Sequence, residues 1–250
     1  MKLKIFTCLF IYLLSLNAFA QEQASDKIET SNGALIIHPI EHATFVMNWN
    51  GKTIYVDPTG GSTAFKNQKK PDLILVTDVH GDHFDIETLE AVNTVTTKLI
   101  APQAVADKLP ESLKENLIIM KNSNKKELFK ISITAIPMYN LPISEVELHT
   151  KGRGNGYLLR MGGKRIYISG DTEDIPEMRK LDDIDVAFVC MNLPYTMDVK
   201  QAADAVLDFK PKIVYPYHYR GQGGLSDVGK FKSLVNSSNK KIDVRLLKWY

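Results

Sequence analysis

The sequence predicts an α/β (α+β) sandwich, with two mixed β-sheets packed face to face and helices outside. Three observations carry that prediction. Short apolar runs rich in Val, Ile, Tyr and Phe recur along the chain, bounded by Gly, Pro, Asn or Asp. Longer amphipathic stretches lie between them. A strand-rich stretch followed by strands alternating with helices occurs twice, so the two halves share one grammar.

The first residues stand apart from that grammar. "MKLKIFTCLFIYLLSLNAFA" opens with Lys2 and Lys4, continues as an apolar run and ends in Ala18-Phe19-Ala20. This is the pattern of a secretory signal, residues 1–20, with cleavage expected after Ala20. The run is short for a membrane span, so no stable membrane anchor is expected. Cleavage would remove Cys8 and leave Cys190 as the mature chain's one cysteine, which excludes an internal disulfide. Residues 21–32 are polar and read as a flexible leader. The folded domain is expected to span 33–250.

In the first half, "ALIIHP", "TFVMNW" and "TIYVDP" read as strands, the last two joined at Asn50-Gly51. "DLILVT" is a continuous apolar run, as in a buried central strand. "DIETLEAVN" follows as a helix capped by Asp85, then a strand in "KLIAP" and a short helix in "QAVADKLP". In the second half, "LIIMK", "ELFKISITAIPM", "GYLLRM" and "RIYISG" read as strands, with a turn at Gly162-Gly163. "IPEMRKL" is a short helix opened by Pro176. "DVAFVC" is a strand that places Cys190 in the core. "DVKQAADAVLDF" is an amphipathic helix with Val199, Ala202, Ala203, Val206 and Phe209 on one face, capped by Thr196 or Asp198. "KIVYPYH" is a strand, "DVGKFKSLVN" a helix and "KIDVRLLKW" a last strand.

Composition narrows the function. Lys and Arg total 31 against 29 Asp and Glu, for a formal net charge of +2, and the charges are scattered. Nothing in that balance favours nucleic acid as a partner. No G-x-S-x-G is present, so a serine hydrolase of that type is not expected.

The chemistry concentrates in "LVTDVHGDHFD", directly after a buried strand. Asp78, His80, Asp82 and His83 fall within one short turn, and Gly81 lets the backbone bend there. Carboxylate oxygens and imidazole nitrogens suit zinc, manganese or iron. Two further groups have the same placement. Asp171 follows the strand "RIYISG", and His218 ends "KIVYPYH". Strand ends are where many α/β folds bind ligands.

These residues resemble the metallo-β-lactamase superfamily, an αββα sandwich with one or two metal ions. The likeness runs from "PIEHATFVMNWNGKTIYVDP" to "PKIVYPYHY". His42-Ala43-Thr44, Asp57-Pro58, Gly170-Asp171-Thr172 and Pro216-Tyr217-His218 resemble the branch of L-ascorbate-6-phosphate lactonase-like and N-acylphosphatidylethanolamine phospholipase D-like hydrolases. The resemblance implies His80 in a first metal site and Asp82 and His83 in a second. Asp171 would bridge the two, and His218 would complete the second. Asp82 is also the candidate orienting base. Two positions depart from the pattern. Asp78 stands where the motif has its first histidine, and its added negative charge favours manganese or iron(II) over zinc. Asn140 stands where the family carries a further histidine, and His149 is the nearest replacement. An ion held there would bring a water's pKa to about 7 in the case of zinc, giving a hydroxide at neutral pH.

The surrounding residues have expected supporting roles. His38 reads as structural. His42 is placed to touch substrate or a metal ligand, and Asp57 to fix its turn and back a ligand. Tyr195, Tyr219 and Arg220 flank ligand-bearing loops, where Arg220 could grip an anionic group. "KGRGNGY" reads as a flexible loop at the site mouth. The expectation is an exported, periplasmic or secreted hydrolase acting on a small ester, lactone or phosphodiester, with an anionic substrate compatible with Arg220. A binding protein with a reduced metal site and a nuclease of the same superfamily are the alternatives.

Overall fold

The computed structural model describes residues 25–250. The proposed signal, Cys8 and residues 21–24 of the leader lie outside them. Two seven-stranded sheets form the centre. The first runs in chain order from β1 (Asp26–Thr30), β2 (Gly33–Glu41), β3 (Thr44–Trp49) and β4 (Lys52–Val56) to β5 (Leu73–Leu75), β6 (Lys98–Ala101) and β7 (Leu117–Ile119). The second begins with β8 (Lys125–Leu128), β9 (Ile131–Met138), β10 (Gly154–Met161) and β11 (Lys164–Ile168). It continues through β12 (Val186–Cys190) and β13 (Ile213–Tyr217) to β16 (Asp243–Val244), with β16 paired to β13. A hairpin of β14 (Arg220–Gly221) and β15 (Gly224–Leu225) stands apart.

The halves repeat in topology. In each, four strands form an antiparallel meander. The fourth strand then starts a parallel series reached by crossovers. Parallel pairing sends several strand ends to one edge of the molecule, and that edge carries the site.

Strand alternation makes two cores from one sheet. Phe45, Met47, Ile54, Val56, Leu73 and Leu75 point inward to the second sheet. Val46, Tyr55, Ile74 and Leu99 point outward, where they pack with Leu89 and Val92 of α1 (Ile86–Val92) and Val105 of α2 (Gln103–Ala106). The second sheet is covered by α3 (Pro176–Arg179), α4 (Val199–Phe209) and α5 (Val228–Ser238), through residues such as Met178, Ala202, Val206, Phe209 and Phe231. Full burial of each Val, Leu or Ile contributes about 1.5–3 kcal/mol. Phe45 and Phe188 stack at 4.3 Å across the interface between the sheets, with Tyr217 and Trp249 edge-on to both. Cys190 is fully buried and unpaired, and burial pushes its thiol up to about 11, so it is a core residue.

Three expectations need correction, and one open choice is decided. The leader read over 21–32 contains β1, whose Ile28 joins the core and whose Asp26 accepts hydrogen bonds from Tyr215 and Arg245. Its polar composition hides a strand because only one side chain in it must be apolar. "ELFKISITAIPM" is two strands, turned at Phe129 and Lys130, both at positive φ (55° and 64°) without any glycine to signal it. "KIDVRLLKW" pairs only at Asp243–Val244 and then leaves the sheet, which lets Trp249 insert between the sheets. Asp198, not Thr196, caps α4 in a reciprocal box with Gln201, while Thr196 bonds Asn192.

Candidate metal centre

The stretch after β5 builds the floor of the site. Asp57, just past β4, takes the backbone N–H and the hydroxyl of Thr77 on its two oxygens, each at 2.7 Å. The carboxylate also lies 2.8 Å from His83 Nδ1. With Nδ1 engaged, His83 turns Nε2 inward. There it meets His218 Nε2 at 3.1 Å and Asp171 Oδ2 at 3.3 Å. His218, at positive φ directly after β13, places Nε2 at 3.1 Å from Asp171 Oδ1 and 3.4 Å from Asp82 Oδ2. Asp82, His83, Asp171 and His218 thus bring their donor atoms within 4.8 Å of one another.

A second group lies beside it. Asp78, His80 and His149 also bring donor atoms within 4.8 Å. His80 Nδ1 is 2.8 Å from Asp78 Oδ2. His149 is held by Asn140, whose Oδ1 accepts from both the His149 backbone N–H and Nδ1, each at 2.9 Å. That leaves His149 Nε2 facing Asp171 Oδ2 at 3.2 Å. Asp171 is therefore where the two groups meet, and the choice between Asn140 and His149 resolves into a ligand candidate and its support.

The donor set fits a divalent cation. Two imidazole Nε2 atoms 3.1 Å apart can share at most one proton between them, whereas a cation accepts both lone pairs. Asp171 Oδ1 is buried, and although His218 Nε2 lies 3.1 Å away, no well-aligned hydrogen bond reaches that oxygen among the described residues. The electrostatics agree. Burial alone would raise Asp171, yet His218, His83 and His149 hold it well below the usual carboxylate range. Burial would lower His83, yet Asp171 and Asp57 hold it well above its ordinary value, and His218 is raised in the same way. The pocket is built to keep positive charge, whether proton or metal.

A cavity of about 300 Å³ opens over these residues, lined by His80, Asp82, Leu148, His149, Asp171, Asn192 and Tyr195. His42 sits at the β2–β3 turn, with Nε2 3.2 Å from Asp82 Oδ2 and Nδ1 2.5 Å from the Tyr250 hydroxyl. Burial lowers its basicity, more than Asp82 raises it. Tyr219 is buried against Tyr250. Arg220 lies over the Tyr250 ring at 4.1 Å, and neither of these two lines the cavity. His38 belongs to β2 and lines a different cavity, beside Trp49.

Sequence reasoning missed Arg153. "KGRGNGY" is not a loose loop, because β10 begins at Gly154 and Asn155 N–H donates to Thr77 O at 2.9 Å. A side chain at 154 would strike Met138 and Thr77 O. Pinned there, Arg153 sends one guanidinium nitrogen to both oxygens of Asp78, at 3.1 and 3.2 Å. The flanking glycines were the available signal.

A protein-family model described as a beta-lactamase superfamily domain matches residues 37–218. The chain belongs to that superfamily. Within it, a metal-dependent hydrolase of Pyrococcus abyssi, from the UPF0173 group, is 32% identical over 211 residues, covering 80% of this chain and 92% of its own. The chain is thus a member of the superfamily's metal-dependent hydrolases. A crystal structure from Parabacteroides distasonis, of a protein assigned as a metal-dependent hydrolase, superposes with a TM-score of 0.81 at 38% identity. It covers 91% of this chain and all of that one. A metallo hydrolase of Ignicoccus hospitalis shares the superfamily fold, with a TM-score of 0.72 at 23% identity over 86% of this chain and 95% of its own.

Proposed function

We propose that this superfamily member cleaves an ester or lactone bond in a small, partly apolar substrate, with a divalent ion held by Asp82, His83, Asp171 and His218. The observation that carries the reading is the convergence of those four donors beneath a cavity of about 300 Å³. When bound, the ion supplies an acidified water and a Lewis acid for the developing oxyanion. The chain's own residues do the rest. Asp57 fixes the His83 tautomer, and Asn140 fixes that of His149. His42 orients Asp82, the most open of the four donors, for accepting a proton from water.

The cavity wall favours the ester or lactone over the phosphodiester. Leu148 lines it, and Leu141, Ile143, Val146 and Leu193 are exposed on the segments that supply Asn140, His149, Asn192 and Tyr195. Among the described residues no Lys or Arg lines it, which also weighs against a nuclease. His42-Ala43-Thr44 and Gly170-Asp171-Thr172 resemble the lactonase-like branch, and zinc, manganese and iron all suit the donors.

The test is a panel of aryl esters, aliphatic lactones and bis(p-nitrophenyl) phosphate, assayed with zinc-, manganese- and iron(II)-loaded protein. Turnover of an ester or lactone, lost in Asp171→Ala and His218→Ala, is expected. Absence of turnover across the panel, with folded and metal-loaded protein, would favour the binding-protein reading, which draws on the Asp78–Arg153 pair. We also propose export. β1 begins at Asp26, so cleavage after Ala20 leaves every described strand intact. N-terminal sequencing of protein from the extracytoplasmic fraction should read from Gln21, and an intact Met1 terminus would refute it.

A further inference from the structure

Asp78 is fully buried, with no exposed side-chain surface. A buried carboxylate needs a partner of opposite charge. His80 occupies one oxygen at 2.8 Å, and the Arg153 guanidinium reaches both. The same Arg153 nitrogen is 3.4 Å from His80 Nε2. It therefore sits against two of the three donors of the first group. This is not a surface side chain that happens to fold inward. Gly152 takes φ +88°, Gly154 has no room for a side chain, and Asn155 is tied to Thr77, the residue before Asp78. The backbone delivers Arg153 to that place.

The charges divide unequally between the two groups. Asp82 and Asp171 pair, among the described residues, with His42, His83, His149 and His218 and with no lysine or arginine. Two carboxylates there match one divalent ion. Asp78 is the single carboxylate of the other group and already has a permanent monocation against it. Arg cannot be deprotonated in a protein, so it cannot yield to an incoming ion as a histidine does. A second divalent ion among Asp78, His80 and His149 would lie beside the guanidinium and be repelled.

We propose that Arg153 is the resident cation of the first group, and that the centre takes one divalent ion, in the second. This rests on the reading of the second group as a metal site. Full chain stripped with chelator is loaded with manganese(II), desalted and measured by elemental analysis and electron paramagnetic resonance. Wild type should hold one manganese per chain with the six-line spectrum of an isolated ion. Arg153→Met should rise to two, with the spectrum broadened by coupling between neighbours. Because that change removes the permanent cation beside Asp78, Asp78→His combined with Arg153→Met keeps the charge balanced and should also bind two. Two coupled ions in wild type would overturn the role of Arg153, and that outcome needs no variant to fold. A folded double variant that still binds one would overturn it as well. No ion in wild type would overturn the metal reading together with it.

Discussion

The two donor groups lie side by side, share Asp171 as neighbour and differ in how their negative charge is answered. The second sets Asp82 and Asp171 against histidines, whose protons an ion can displace. The first sets Asp78 against Arg153, whose charge is permanent. Similar donors thus make an exchangeable site in one place and a locked ion pair in the other. Ligand identity alone does not define a metal site. The fixed charges within about 4 Å of it decide whether an ion can enter.

The comparison can be broken most directly at Asp171. Asp171→Ala removes the carboxylate that both groups face, and metal retention should fall by more than the roughly 10–100-fold typical of losing an outer partner. Isothermal titration with zinc would show it, and unchanged affinity would place the ion elsewhere. Next in size is the response to pH. His83 and His218 are raised, so near neutral pH the metal-free second group holds protons that an ion must displace. Affinity should fall as pH drops, with proton release visible when titrations are compared in buffers of different ionisation enthalpy. The stability of metal-free protein carries the opposite sign. Those protons stabilise the fold fully below the unfolded histidine value of about 6.5, and the benefit is lost as pH rises through the raised folded values. Metal uptake that releases no protons would contradict this assignment of charge.

Two smaller changes separate the groups. Asp57→Asn loosens His83 and should weaken the single ion by about 10–100-fold. Asn140→Leu loosens His149, which belongs to the group held by Arg153, so it should change affinity by less than about threefold, well under that outer-partner range. Equal losses in the two variants would mean that both groups ligate. Circular dichroism of each variant checks that the fold survives.

Much of this protein was legible in its sequence. Continuous apolar runs in "TFVMNW" and "TIYVDP" indicated strands with two buried faces, and the amphipathic face of α4 indicated where its helix would lie. The strand-end positions of Asp78, Asp171 and His218 pointed to the candidate site, because parallel strands end on one edge. Asp57 was expected to back a ligand, and it contacts the candidate ligand His83. Other features were decided only by the tertiary structure. β1 gains its strand from pairing with β2, not from its own polar residues. The chain leaves the second sheet after Val244, and Trp249 is then buried in the core between the sheets. His149 was already a candidate, but Asn140 as its support emerged only through a contact nine residues apart in a loop without periodicity. Arg153 reaches Asp78 across 75 positions of sequence. Local pattern reports what a residue's own strand or helix requires. Which distant charge comes to rest beside a buried carboxylate depends on how the two sheets are joined, and only the folded chain fixes that.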